Sequence, residues 1–143
     1  MGFSLFVNFE GNCKQAVDFY ARVFKSNTEG MITFEQMPPD PAYTVADEDK
    51  AKIMYCSVAI CGMNVMFSDV PSGTDLTVGN NISPVLTTTD KDEIRRMYNE
   101  LKEGGHVNME LQKTFWSELY GMVTDQFGIS WQFSYEEAKP AGV

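Results

Sequence analysis

The chain reads as an α+β protein built from two βαβββ modules in tandem, and three observations predict that class. A shift of 78 carries Asn12 to Asp90, Ala16 to Ile94, Tyr20 to Tyr98 and Val23 to Leu101, which marks an internal repeat. Both copies open with a short apolar run followed by a helix-capping signal. In both, three further strand-like runs follow the helix. At 143 residues a single domain is expected. With 43% apolar and 22% charged residues, disordered, collagen-like and coiled-coil classes are excluded.

Leu5 to Phe9 is the first apolar run, after which Asn12 can cap a helix and Gln15 can reach back as its third-position partner. Ala16, Phe19, Tyr20 and Val23 then form a stripe at helical spacing. Met31 to Met37 and Ile53 to Ile60 read as strands, and Cys61-Gly62 as a tight turn into Met63 to Val70. Between the first two of these lie Pro38-Pro39-Asp40-Pro41 and the acidic run Ala46 to Lys50, an exposed loop whose charges are expected to be solvated. Pro71 to Asn81 is the linker. In the second copy Val85 to Thr89 is the strand, Asp90 and Glu93 repeat the capping box, and Ile94, Met97, Tyr98 and Leu101 repeat the stripe. Gly104-Gly105 supplies the left-handed residue that ends the helix. Val107 to Leu111, Leu119 to Thr124 and Ile129 to Tyr135 complete the module, with a turn at Asp125 to Gly128. Module one spans about residues 1–72 and module two about 80–137.

Twenty acidic against eleven basic residues leave a formal charge of −9, so a nucleic-acid partner and an anionic membrane surface are disfavoured. The N-terminal run lacks a cationic region and is broken at Asn8 and Glu10, and no stretch approaches the ~18 apolar residues of a membrane span. A cytoplasmic location is expected. Cys13, Cys56 and Cys61 are an odd count with no export signal, which argues against a disulfide framework. Asn81-Ile82-Ser83 fits the glycosylation pattern, which carries no meaning without secretion.

The phrase Phe9-Glu10-Gly11-Asn12-Cys13-Lys14-Gln15-Ala16-Val17-Asp18-Phe19-Tyr20 resembles the opening of the vicinal-oxygen-chelate superfamily, which includes glyoxalase I, extradiol dioxygenases and bleomycin-resistance proteins. Met66-Phe67-Ser68-Asp69, Phe115-Trp116, Tyr120 to Asp125 and Phe127 to Gln132 resemble its PhnB-like branch, also labelled demethylubiquinone-methyltransferase-like. The resemblance implies two βαβββ modules whose mixed sheets curve around a shared cleft with the helices outside, in a homodimer. It also implies four inward metal-ligand positions, normally filled by His, Glu or Gln. Here they fall on Leu5, on Ser83, on Met66 with Asn64 as the alternative register, and on Gln132. Only Gln132 is an ordinary ligand, so no metal site and no cofactor are expected.

Other candidate chemistry is sparse. His106, the sole histidine, follows Gly104-Gly105 and is expected to cap the helix end or lie exposed. Cys13 has the best case for a reactive thiol, since helix N-termini lower thiol pKa, but it and Cys56 are expected to be core fillers. No phosphate-binding glycine loop is present. Asp125 and Asp69 are expected to accept backbone N–H bonds at strand ends. Ten phenylalanines, six tyrosines, two tryptophans and nine methionines point instead to an apolar cleft. Phe115, Trp116 and Tyr120 are its expected rim, flat groups with a polar handle suited to a planar or amphipathic ligand. Leu5, Val7, Met37, Met66, Ser83 and Gln132 are its expected lining, and Trp131, alternating with Gln132, is assigned to the helix-facing side. The sequence thus predicts a metal-free binding module for a small molecule, with a metal-dependent lyase, isomerase or dioxygenase of the same superfamily as the alternative.

Overall fold

The computed structural model describes residues 1–142. It divides into two compact units, Met1–Thr77 and Val78–Val143. Unit one runs β1 (Phe6–Phe9), α1 (Cys13–Val23), β2 (Thr28–Thr33), β3 (Ile53–Ile60) and β4 (Met63–Asp69). Unit two runs β5 (Val85–Thr88), α2 (Lys91–Leu101), β6 (His106–Gln112), β7 (Tyr120–Thr124) and β8 (Ser130–Tyr135). Each unit is one βαβββ module with one mixed four-stranded sheet, ordered β1-β4-β3-β2 in the first and β5-β8-β7-β6 in the second. The first strand of each module pairs parallel with the last, and the remaining neighbours are antiparallel.

One face of each sheet is sealed by its helix. The α1 stripe buries Ala16, Val17, Phe19, Tyr20 and Val23. Tyr20 stacks on Phe67 of β4 at 5.7 Å between ring centroids, and Phe67 stacks on Phe9 of β1 at 6.2 Å. The α2 stripe buries Ile94, Met97, Tyr98 and Leu101, and Tyr98 meets Phe133 of β8 edge-on at 5.7 Å. Each such side chain contributes about 1.5–3 kcal/mol by leaving water. Those contacts carry both modules.

The two helices are capped differently. Asp90 caps α2 as expected, accepting from Asp92 N and Glu93 N. Its own N–H goes to Thr88 Oγ1 at 3.1 Å, and the Glu93 carboxylate takes Arg96 rather than being reserved for the cap. At α1 the Asn12 side chain makes no cap bond. Asp69, from the end of β4, supplies the acceptor instead, taking Gly11 N at 2.8 Å and Cys13 N at 3.0 Å. A buried charge from a neighbouring strand outcompetes the local amide.

Two further expectations are corrected. Met31 to Met37 is not one strand: β2 ends at Thr33, and Phe34–Gln36 turns as a 3₁₀ helix in which Phe34 is buried. The acidic run is not wholly solvated. Asp49 is buried, and its pairing with Lys52 at 2.9 Å, followed by the bonds it accepts from Ser72 Oγ and Ser72 N, holds its carboxyl below the usual range. His106, the first residue of β6, lies exposed, the second of its two expected placements. The turns behave as expected, with Cys61 and Gly62 at φ of 48° and 84° between β3 and β4, and Gly104 at 72° after α2. Gly105 is required by close approach, because a Cβ there would sit 2.1 Å from the Thr124 carbonyl oxygen.

Candidate functional site

Strand pairing decides which side chains share the open face of each sheet, since cross-strand partners point the same way and chain neighbours do not. In unit one, Phe6 pairs with Met66 and Val7 with Phe67. Phe67 lies under α1, so Val7 faces the helix, and by alternation so does Leu5. Phe6 and Asn8 share the open face with Met66, and so does Asn64 two residues away. The expected grouping of Leu5 and Val7 with Met66 is therefore corrected by one position. A single step of register exchanges the faces of the whole strand. Met37, half-buried, follows the 3₁₀ turn outside the sheet.

Unit two brings five of the expected residues together. Val85, Gln132 and Met122 lie opposite one another, as do Thr87, Ser134 and Tyr120, on the open face. The Tyr120 hydroxyl donates to Gln132 Oε1, and Gln132 Nε2 donates to Ser83 Oγ at 2.6 Å. Trp116 meets Tyr120 edge-on at 5.2 Å, and Phe115 meets Trp116 edge-on at 4.8 Å. The turn presenting these rings is pinned from behind. Thr114 N donates to Ser117 O at 2.9 Å, Ser117 N to Thr114 Oγ1 at 3.1 Å, and the buried Ser117 hydroxyl reaches Tyr135 O of β8 at 2.9 Å. Held so, Phe115 and Trp116 remain 97% and 55% exposed. They border a cleft of about 820 Å³ whose lining also includes the charged side chains of Lys113, Glu118, Glu136, Glu137 and Lys139, within the ordinary size of a ligand site.

Trp131 lies on the opposite face, as expected. It is buried, and its indole N–H donates to Asp125 Oδ2 at 2.8 Å. Asp125 also accepts Phe127 N and Ile129 N, and Asp69 accepts Ile53 N besides its two donors at α1, so both carboxylates close turns and strand ends. Cys13 and Cys56 are fully buried and hydrogen-bonded to each other. That bond and burial push the Cys13 thiol well above its ordinary pKa. The helix terminus does not make it reactive.

The divalent metal that the resemblance implies does not fit the donors in either unit. In unit one the register puts Phe6 and Met66 at the paired ligand positions. In unit two a neutral hydroxyl and a neutral amide are bonded to one another, with the amide oxygen already serving Tyr120. Borderline cations are held by imidazole, thiolate or carboxylate. Among the described residues no group of three or more His, Cys, Asp or Glu side chains converges.

Sequence reasoning missed the far end of the same face. Thr124 and Ser130 pair opposite each other, and Met122 opposite Gln132. Alternation from Tyr120 and from Gln132 already marked these positions. Asn108 was not readable in that way, because β6 shifts register between Val107 and Met109, and a bulge re-aims side chains. It brings Asn108 Oδ1 to 2.8 Å from Thr124 Oγ1.

Known proteins share this arrangement. The family model described as 3-demethylubiquinone-9 3-methyltransferase matches residues 2–134. Protein YjdN of Escherichia coli K12 is 30% identical over 148 positions, covering 98% of this chain and 99% of YjdN. Protein PA1353 of Pseudomonas aeruginosa superposes with a TM-score of 0.85 at 31% identity, covering 96% of this chain and 99% of its own. The PhnB protein of Bacillus cereus superposes with a TM-score of 0.77 at 21% identity, covering 95% and 100%, a likeness of fold. No helix among the described residues is long and apolar enough to cross a membrane. With its tandem βαβββ modules, the chain belongs to the family described as 3-demethylubiquinone-9 3-methyltransferase.

Proposed function

We propose that this chain is a small-molecule-binding protein that works without a bound metal or cofactor, as a homodimer. Its recognition surface is the open face of the unit-two sheet. The observation that carries this reading is the Gln132 amide, held at one end by Tyr120 and at the other by Ser83, beside the exposed rings of Trp116 and Phe115. A fixed polar group next to flat apolar area selects a planar or amphipathic molecule by shape and orientation. Met66 and Phe6 line the open face of the unit-one sheet. Phe6 and Val85, half-exposed on the two edge strands, are the apolar area for a second copy to cover. Light scattering at micromolar concentration tests that part, and a monomer refutes it.

The binding reading is tested with the uncharged fluorophore N-phenyl-1-naphthylamine. Saturable binding is expected to the parent protein, to be unchanged by EDTA, and to weaken about five-fold in Trp116→Ala, matching the loss of roughly 1 kcal/mol of aromatic contact. A metal-dependent lyase, isomerase or dioxygenase predicts otherwise. One equivalent of divalent metal retained through chelator-free purification, or binding abolished by EDTA, would replace our reading with that one.

A further inference from the structure

The open face of the unit-two sheet carries a second cluster beyond the Trp116–Tyr120–Gln132 end. Ser130 Oγ lies 3.1 Å from Thr124 Oγ1, which donates to Asn108 Oδ1 at 2.8 Å, and Asn108 Nδ2 lies 3.2 Å from His106 Nε2. Since the Thr124 proton goes to Asn108, Ser130 is the donor in the first contact. Asn108 Nδ2 carries two N–H groups, so the chain of bonds continues from Ser130 through Thr124 and Asn108 to the His106 ring. Spare lone pairs remain on Ser130 and Asn108, and a spare N–H on the Asn108 amide. These groups line a cleft of about 490 Å³ with Val78, Gly79, Asn80, Met122 and Gly128.

Two features give this cleft a chemistry. Its lining includes no Asp, Glu, Lys or Arg, in a chain of which 22% is charged, so a charged ligand group would lose hydration with no counter-charge to replace it. Closely spaced groups that both donate and accept match hydroxyls, which do the same. Tyr120, Met122 and Thr124 sit on one face of β7, so the aromatic end and this polar end are about 14 Å apart at ~3.4 Å per residue. That is the length of a two-ring molecule.

We propose that the ligand has two parts: a flat apolar group at the Trp116–Tyr120 end, and a neutral polyhydroxyl head bound by His106, Asn108, Thr124 and Ser130. This proposal rests on the binding function above and names its ligand class.

The test compares 7-methoxy-4-methylcoumarin with the 4-methylumbelliferyl glucoside, galactoside and xyloside, which carry the same fluorescent ring with and without a sugar head. At least one glycoside is expected to bind five-fold or more tighter than the methoxycoumarin. In Thr124→Val and in Asn108→Ala that advantage falls below two-fold while methoxycoumarin binding holds, and in Trp116→Ala all four probes weaken. Far-ultraviolet circular dichroism checks that each variant folds, and either polar variant alone suffices. If no glycoside exceeds the methoxycoumarin, or both polar variants keep the advantage, the polyhydroxyl head is refuted and the binding function stands. If no probe binds, both fall.

Discussion

Replacing Asp69 should expose how much of module one hangs on a single carboxylate. Asp69 is 2% exposed. Its Oδ1 accepts Gly11 N at 2.8 Å and Cys13 N at 3.0 Å, and its Oδ2 accepts Ile53 N at 2.9 Å. One side chain thus joins the β1–α1 turn, the start of α1 and the start of β3 to the end of β4. In Asp69→Asn the oxygen can keep the first two donors, but the amide NH₂ then faces Ile53 N–H, so one bond to a charged acceptor is lost. Such bonds are worth roughly 1.5–3 kcal/mol, and about 2 kcal/mol of destabilisation is expected. Asp69→Ala leaves all three donors unmatched, partly offset by no longer burying a charge, for about 4 kcal/mol. With an unfolding entropy near 2.1 cal/mol/K per residue, these correspond to melting temperatures lower by about 7 and 13 °C. Urea unfolding followed by circular dichroism checks the free energies, with an unchanged denaturant slope for both variants. An Asp69→Asn protein within 0.5 kcal/mol of the parent would show that the carboxylate is not the organising acceptor.

Two other perturbations follow from the same packing. Gly105→Ala places a methyl group against the Thr124 carbonyl, where it would sit at 2.1 Å. Backbone on both sides cannot give way cheaply, so a loss of about 3 kcal/mol in urea unfolding is expected, and a change under 0.5 kcal/mol would refute the close approach. The Tyr98 phenol is pushed from 10.0 up to about 12, first by burial and then by its hydrogen bond to Glu110, 2.6 Å away. Because the neutral form is favoured in the folded chain, this contribution is complete below pH 10 and disappears as pH rises toward 12. Urea midpoints from pH 9 to 12 should fall less steeply in Tyr98→Phe than in the parent, and parallel curves would count against it.

How far the residues alone lead depends on whether the decisive interaction is local. β3 runs from Ile53 to Ile60 as its β-branched and alternating pattern implies, and both helical stripes are buried as their spacing requires. The turn roles of Asp69 and Asp125 are likewise written in their position before a loop or at a strand end. What failed was set by partners distant in the chain. Asn12 loses its capping role to a carboxylate 57 residues downstream only because β4 returns beside β1. Asp49 is buried because Ser72 and Lys52 meet it. The resemblance points to Leu5 where the register has Phe6, since a four-residue strand has two faces and periodicity alone does not say which meets the helix. Of the site, the Ser83–Gln132–Tyr120–Trp116 cluster was legible from alternation and from residue chemistry, whereas the contribution of Asn108 depends on an irregularity in β6 that no local pattern marks.

The parallel pairing of each module's opening strand with its closing one has a consequence for synthesis. Phe6 meets Met66 and Val85 meets Gln132, so neither sheet can be finished until its last strand has left the ribosome, and closure joins segments roughly fifty to sixty positions apart. Until then α1 or α2 lies over an incomplete sheet with an unmatched edge, the interval in which a nascent chain is most open to wrong pairing. A stop codon anywhere before β8 would therefore leave the second module without its central seam rather than merely shortened, and such a product should be a target for proteolysis.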